Sequence, residues 1–366
     1  MNLWILLCSS VAQGGYGDAK DGYPSWDERV MHTWTNAARM APADFESEYN
    51  TGGCSFDDFL SGEQEGLPPL RWNSSLNEAA RAHSEDMHAN DWFDHDSSDG
   101  TSFSDRVWSY YGGDLVGENI AYGYDDEQDV VLVGWMCSPG HRSNIMESAF
   151  EELGTGVKGT YYTQDFGARG VSPRRLSMAH HKPRNPSNKV TFYADYYHDG
   201  GKAPDLMLVV LDEEELEMEL EYGTEDMGIY KVRTDAGTGC RLYHVETTVG
   251  NNSTRFPAEG RYGWGECDFD DEDANWMSAD EDAEPEDSGD DTEANSGNDD
   301  TGSSDDTGGD TAGSGLDGTD SSATGGCGCG STQDRSGRWV GTGWLLGLLL
   351  MVARRREAGI AGPIRQ

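Results

Sequence analysis

The sequence predicts an α+β fold: a helical first region that ends in an antiparallel hairpin, followed by a region built from strands. Three observations carry this prediction. Apolar residues recur at helical spacing up to about residue 136. Two short apolar runs flank a glycine turn at Gly159. Apolar and polar residues then alternate over much of 190–245, which is typical of strands.

The first region contains three long helical patterns. One begins at Trp26, and the last covers about 127–136. Between them, Ser75 and Glu78 have the spacing of a capping box and predict the start of the second helix. A shorter helix is expected near 103–111.

Strands follow these helices. Residues 153–158 and 161–166 predict a hairpin that turns at Gly159. Short alternating runs separated by glycine turns predict a small β-sandwich domain over 187–267. We therefore expect one α+β domain over 22–170 and an all-β domain after it.

The charge of the chain is concentrated in one segment. The chain has 366 residues and a formal net charge of −42. Residues 268–324 hold 21 Asp and Glu and no Lys or Arg, so a disordered acidic spacer is expected over 268–326. The rest of the chain is also acidic, which argues against nucleic acid as a partner.

Both ends of the chain favour export and membrane anchoring. Residues 1–19 have the character of a signal-peptide remnant or leader. Residues 339–353 form a nearly uncharged apolar run followed by three arginines, which predicts a C-terminal membrane helix within a segment spanning 327–357.

A glycine and cysteine cluster precedes this apolar run. Together, Cys327, Cys329, the apolar run and the arginines resemble a myxobacterial-type C-terminal sorting signal. The resemblance implies anchoring at the envelope or cell surface, with processing and lipidation at a cysteine of the cluster.

Export would place the cysteines in an oxidising compartment. Cys240 with Cys267 and Cys54 with Cys137 are then the candidate disulfides. No pair of cysteines has zinc-finger spacing.

Four polar side chains of the first region are candidates for a site: His83, His95, Glu118 and His141. Imidazoles and a carboxylate can form a zinc site or a general acid–base site. Each also has an ordinary structural interpretation: a core histidine, a loop residue packed on Trp92, a carboxylate in a Gly-Glu-Asn turn and a cation near a helix end. Spacing alone does not decide between them.

Five motifs in a fixed order extend this set: Ala82–Met87, Phe93–His95, Gly117–Ala121, Gly140–Met146 and Tyr161–Gly167. They strongly resemble the CAP superfamily, in its bacterial SCP-like branch, over residues 26–168. The resemblance implies an α-β-α sandwich with a central cleft lined by His and Glu side chains. In some members this cleft binds a divalent metal.

This chain has only some of the cleft residues that the resemblance implies. His95 matches the first cleft histidine of the family, and Glu118 matches the glutamate of its Gly-Glu-Asn motif. Tyr161 stands where eukaryotic members have a second histidine, and Ser138 lies near the position of their second glutamate. The expected cleft residues are His83, His95, Glu118, Asn119, His141 and Tyr161, and the candidate zinc ligands are His95, Glu118 and His141.

The Ser-Pro-Gly sequence after Trp135 bears on His141. We expect it to break a helix and turn His141 toward the cleft, while Arg142 and Asn144 pin the loop by hydrogen bonds. No Ser or Cys nucleophile with a paired base is apparent.

These features favour an exported, surface-anchored binding module without enzymatic activity, whose ligand is a lipid, a glycan or cell-wall fragment, or a protein. The alternative is a metal-dependent hydrolase or peptidase acting on envelope or extracellular polymer. A third interpretation is a purely structural adhesion surface.

Overall fold

The computed structural model describes residues 23–184, 187–235, 237, 239–265 and 267, and the backbone of 331–334. The predicted leader, the acidic spacer, Cys327, Cys329 and the apolar anchor run lie outside these residues. Within the described part of the chain, no helix has both the length and the apolar character needed to cross a membrane.

A five-stranded sheet organises the first region, in the order β1-β3-β4-β2-β14. β1 runs parallel to β3, and the other neighbours are antiparallel. The strands are β1 Arg71–Trp72, β2 Leu115–Tyr122, β3 Glu152–Lys158, β4 Tyr161–Ala168 and, further along the chain, β14 Ser331–Asp334. The predicted hairpin is confirmed as β3 and β4, and its turn places Gly159 at φ +61°.

Helices cover both faces of this sheet. The helices are α1 Trp26–Met40, α2 Glu46–Thr51, α3 Ser74–Asn90, α4 Phe103–Tyr110, α5 Glu127–Asp129 and α6 Pro139–Ile145, with a wider π-helical turn at Val130–Trp135 that continues α5. Short 3₁₀ turns occupy Pro42–Phe45, Phe56–Asp58 and Ser61–Glu63.

Alternation along β3 assigns α1 and α3 to opposite faces. Thr155 points to α1 and donates a hydrogen bond to the Glu28 carbonyl at 3.0 Å. Gly154 and Gly156 point to α3, whose backbone lies so close that a Cβ at either position would overlap it. Two glycines therefore allow α3 to pack directly on the sheet.

The predicted capping box of α3 is wrong. The helix begins at Ser74, and Asn73 caps it by accepting a hydrogen bond from the Leu76 N–H at 3.0 Å. Ser75 and Glu78 therefore lie inside the helix. An Asn side chain satisfies the free N–H groups of a first turn as well as Ser does.

The second region consists of two sheets. One has the order β5-β6-β10-β9, and the other has the order β12-β11-β7-β8 with β13 paired to β11. The strands are β5 Ala179–Lys182, β6 Val190–Tyr197, β7 Leu206–Leu211, β8 Glu214–Glu217, β9 Glu219–Thr224, β10 Met227–Thr234, β11 Arg241–Val249, β12 Asn252–Phe256 and β13 Tyr262–Trp264. The strand-rich region thus begins at Ala179, ahead of the predicted start at residue 187.

α1 contacts the second region as well as the first sheet. The indole N–H of Trp26 donates to the His181 carbonyl at 2.7 Å, and Asn36 donates to the Asp195 carboxylate at 2.6 Å. The Arg29 guanidinium lies 3.6 Å from the ring centre of Tyr262. All but one of the fifteen residues of α1 are buried, because this helix packs on both of its sides.

Both predicted disulfides are confirmed. Cys54 is bonded to Cys137, and Cys240 is bonded to Cys267. The first pair ties the segment after α2 to the chain ahead of α6, and the second closes the segment that contains β11 to β13.

Candidate functional site

Glu118 is the centre of a buried polar cluster. It lies on β2 with none of its surface exposed and points to the face of the sheet that α3 covers. One carboxylate oxygen is 2.7 Å from Nδ1 of His95, and the other accepts a hydrogen bond from Arg106. The predicted Gly-Glu-Asn turn is therefore wrong, since these residues are the middle of a strand.

The loop between α3 and α4 supplies one side of this cluster. Nε2 of His83 lies 2.9 Å from the carbonyl oxygen of Asp94 in the loop. Arg106 of α4 donates to the His95 carbonyl at 3.0 Å and to Ser97 Oγ at 2.9 Å. The cluster therefore fixes the backbone of this loop as well as the His95 ring.

The ionisation of Glu118 follows from these contacts. Burial alone would raise its pKa, because a carboxylate is poorly solvated inside a protein. The charge of Arg106 and the neighbouring His83 and His95 outweigh this effect and hold the pKa of Glu118 at about 2. Glu118 is therefore a carboxylate, paired with a buried guanidinium.

Asp165 is a second buried carboxyl group in the cluster. It lies directly opposite Glu118 in the pairing of β2 with β4, so both side chains point to the same face. Burial and the charge of Glu118 raise the pKa of Asp165 well above its usual range. Neither of its oxygens accepts a hydrogen bond from a described residue. A protonated Asp165 that donates to the Glu118 carboxylate satisfies both observations.

His83 completes the group. Its side chain is fully buried, and burial lowers its pKa despite the nearby Glu118 charge. The prediction that His83 points inward is confirmed, and its bond to a carbonyl is the contact expected of a core histidine. We call Glu118, Asp165, His83, His95 and Arg106 the Glu118 cluster.

Asn119 belongs to the opposite face of the sheet. Its side-chain amide donates to Gln164 Oε1 at 3.0 Å and to the His141 carbonyl at 3.1 Å. Its oxygen accepts from Asn144 at 3.0 Å. Gln164 in turn donates to Thr35 of α1 at 2.6 Å. Neighbouring residues of one motif thus serve two separate polar networks.

His141 lies near the start of α6, which Ser138 and Pro139 open. The Ser-Pro-Gly sequence therefore begins a helix as well as ending one. The carbonyl of His141 bonds to Asn119, whereas the charged neighbours that set the pKa of Glu118 are Arg106, His83 and His95. Placement of the His141 imidazole beside Glu118 stays a prediction.

Two residues that follow His141, Arg142 and Asn144, hold α6 in place as expected. Arg142 donates to Glu63 at 2.8 Å and to the Met136 carbonyl at 2.8 Å. Asn144 donates to the Glu118 carbonyl at 3.0 Å. These buried bonds tie α6 to β2 and to the segment that carries the first disulfide.

Tyr161 is nearly buried at the start of β4. Its ring centre lies 4.6 Å from that of Tyr122, and its hydroxyl donates to Asp91 at 3.3 Å. Tyr161 points to the same face as Asp165 but lies four residues from it along the strand. It therefore belongs to the edge of the site and not to its charged centre.

The candidate zinc ligands do not fit a metal ion well. Both oxygens of Glu118 already contact His95 and Arg106, and a guanidinium on a carboxylate opposes a cation at the same place. Among the residues that the structure describes, no three His, Cys, Asp or Glu side chains form a group that could hold a metal ion. No step of the function is therefore assigned to a metal.

Sequence reasoning missed two members of the cluster. Asp165 carried a signal, because a charged residue inside an otherwise buried strand needs a partner. Arg106 carried none, since its helix has the composition of an ordinary surface helix. Cys137, although close to His141 in the sequence, is bonded to Cys54 and has no free thiol.

The fold and the site define a three-layer α-β-α domain with a buried His–Glu–Arg centre. Residues 32–168 match the model of the cysteine-rich secretory protein family, CAP. Over this part of the chain the protein is therefore similar to the CAP family.

Individual relatives match the same part of the chain. The membrane protein YlbC of Bacillus subtilis is 42% identical over 102 residues, which is 28% of this chain and 29% of that protein. YkwD of the same organism is 38% identical over 107 residues, which is 28% of this chain and 41% of that protein. A solved extracellular SCP-domain protein from Bacillus anthracis is 39% identical to this chain. The match covers 28% of this chain and 35% of the solved chain, with a TM-score of 0.27. The chain spans less than half the length of each of these proteins.

Proposed function

We propose that the protein is an exported binding module whose CAP domain presents the α3–α4 loop to a ligand. The observation that carries this proposal is that His95 and Arg106 occupy both oxygens of the buried Glu118 carboxylate. The cluster therefore acts as a rigid support for the loop. Trp92 and Phe93 stand on that loop with 41% and 43% of their surfaces exposed, and preorganised exposed rings are typical of binding surfaces.

Export is supported by two features. The disulfides Cys54–Cys137 and Cys240–Cys267 are those of a protein from an oxidising compartment. The matched relatives include a membrane protein and an extracellular protein. Anchoring at the surface through Cys327, Cys329 and the apolar run that follows is part of the same proposal.

A binding module and a hydrolase are separated by one experiment on the full chain. Glu118→Gln leaves the Arg106 guanidinium buried and unpaired, so we expect a loss of about 3–5 kcal/mol in the free energy of unfolding. We expect the wild type to co-sediment with insoluble cell-wall polysaccharide and to release no soluble fragments. Zinc is expected to stay well below one ion per chain after dialysis.

Glu85→Gln is the matched control. Glu85 forms an exposed pair with Lys158 at 3.7 Å, and its loss should change stability by less than about 1 kcal/mol. The binding-module proposal fails if zinc binds stoichiometrically and the wild type hydrolyses polysaccharide or peptide, whereas Glu118→Gln does not under conditions in which circular dichroism shows it to be folded.

A further inference from the structure

A row of aromatic rings lies beside the Glu118 cluster and has no part in it. Phe93 and Tyr122 are 43% and 55% exposed, and their ring centres are 6.2 Å apart. Tyr122 in turn packs on the nearly buried Tyr161 at 4.6 Å. We call these three residues the ring shelf.

Contacts of Tyr161 and of the loop backbone next to Phe93 hold the ring shelf in place. Tyr161 packs with Met87 and Ile120, and its hydroxyl donates to Asp91 at 3.3 Å. The backbone next to Phe93 is fixed by the contact of the Asp94 carbonyl with His83 at 2.9 Å. Because the rings do not need to be ordered by a ligand, binding on them costs little conformational entropy.

The shelf lies on the same face of β2 as Glu118. The side chains of Glu118, Ile120 and Tyr122 point to the same face of β2. Tyr122 is four residues from Glu118, which is about 13 Å along the strand. The α3–α4 loop follows the same direction, since Phe93 contacts Tyr122 and His95 contacts Glu118. An elongated ligand can therefore lie along this loop.

The surroundings of the shelf are acidic. Three exposed carboxylates are close to it in the structure or the sequence: Asp91 accepts a hydrogen bond from Tyr161, Asp94 follows Phe93, and Asp125 is three residues after Tyr122. Lys158, at the turn that precedes Tyr161, is paired with Glu85 at 3.7 Å. Together with the net charge of −42, these carboxylates repel polyanions and anionic lipid surfaces. Carboxylates accept hydrogen bonds strongly, so hydroxyl-rich ligands suit the same surface.

The small area of the shelf favours a ligand that contacts it through only a few chemical groups at a time. Two half-exposed rings offer roughly 200 Å² of apolar surface, given about 150–250 Å² for a whole aromatic side chain. A stable protein interface needs about 800 Å² from each partner. A polysaccharide places one sugar ring on one aromatic ring and repeats the contact along its length.

We propose that the ring shelf is a binding subsite for an uncharged, β-linked polysaccharide. The C–H faces of its sugar rings pack on Phe93 and Tyr122, and its hydroxyl groups donate to Asp91 and Asp94. This inference deepens the proposed function and rests on it, because it names the ligand class that the α3–α4 loop presents.

Calorimetric titration of the full chain with chitohexaose and with cellohexaose tests this subsite. We expect the wild type to bind at least one of the two. Tyr122→Ala and Phe93→Ala are each expected to weaken binding at least tenfold, whereas Tyr122→Phe keeps the ring and most of the affinity. Thermal unfolding confirms that each variant is folded.

Tyr110→Ala is the matched control, because Tyr110 is 41% exposed and lies on α4. It should bind like the wild type. Undiminished binding by Tyr122→Ala and Phe93→Ala overturns the subsite, and so does failure of the wild type to bind either oligosaccharide. Cleavage of the oligosaccharides with Glu118-dependent turnover would instead overturn the binding-module proposal, so the two failures are distinguishable.

Discussion

At the scale of single residues, Glu118 and Asp165 are neighbouring carboxyl groups with opposite ionisation. Arg106, His83 and His95 keep the pKa of Glu118 at about 2 against the effect of burial. Burial and the Glu118 charge raise the pKa of Asp165 well above normal. Two like charges this close are avoided by keeping one group protonated.

Asp165→Asn tests this assignment. The folded protein binds the Asp165 proton more tightly than the unfolded chain, so this group lowers stability as pH rises above the ordinary Asp pKa of about 3.9. Asn keeps the shape and has no proton to lose. We expect the Tm of Asp165→Asn to rise relative to that of the wild type as the pH increases above about 4.

Circular dichroism at a series of pH values measures this difference. Asp125→Asn, at an exposed residue, is the control and should show a difference that does not grow with pH. A Tm difference for Asp165→Asn that is constant across the pH range would mean that Asp165 is ionised in the folded protein.

At the scale of elements, the packing of α3 on β3 depends on two glycines. A Cβ at Gly154 would overlap the backbone of Leu76 and Asn77, which cannot move aside as a flexible side chain can. Gly154→Ala should therefore cost at least about 1–3 kcal/mol in the free energy of unfolding. Gly62→Ala, where a Cβ meets open space, should change it by less than about 0.5 kcal/mol.

Urea denaturation compares the two alanine variants. An unfolding midpoint for Gly154→Ala as high as that of Gly62→Ala would show that α3 can shift away from the sheet without loss. His83, which lies on α3, would then be displaced within the Glu118 cluster.

How far the sequence predicts these elements depends on the partners of each residue. α1, α3 and the β3–β4 hairpin follow from periodicity, because their apolar residues repeat on one side or alternate. β2 does not, since Glu118 and Asn119 are polar residues buried on opposite faces of a sheet that helices cover on both sides. The side chains that satisfy these two residues, Arg106 and Gln164, lie 12 and 45 residues away in the sequence.

The same reason limits prediction of the site. The pairing of His95 with Glu118 is consistent with the motifs that resemble the CAP superfamily. The contact of Asp165 with Glu118 follows only from the register of β2 and β4. The shelf formed by Phe93, Tyr122 and Tyr161 likewise depends on a loop, a strand end and a hairpin meeting in space.

At the scale of the whole molecule, the two regions meet at an interface around α1 that is rich in aromatic rings. His180 of β5 is fully buried, stacks on Tyr193 at 5.1 Å and lies 6.2 Å from Trp34. Burial, with the charges of His181, Arg29 and Lys182, lowers its pKa well below normal. Neither ring nitrogen has a hydrogen-bond partner among the described residues.

This interface should be sensitive to acid. His180 is neutral in the folded protein, and the unfolded chain binds a proton below about pH 6.5, so stability falls as pH drops through that value. His180→Phe keeps a stacked ring that cannot be protonated. We expect the Tm of this variant to fall less than that of the wild type when the pH is lowered from about 7 to about 5.

His88→Phe, at an exposed histidine, is the control for this comparison and should follow the wild type. Equal acid sensitivity of His180→Phe and the wild type would mean that protonation elsewhere, for example at His181, dominates the acid response.

The double role of α1 decides how the chain can be divided. The segment that matches CAP starts at residue 32, within α1, and stops at residue 168, before β5. A fragment cut at these borders would lose Trp26 and Arg29 and would expose Trp34 to water where His180 and Tyr193 now cover it. Such a fragment should aggregate, and the smallest soluble unit should extend through the disulfide at Cys267.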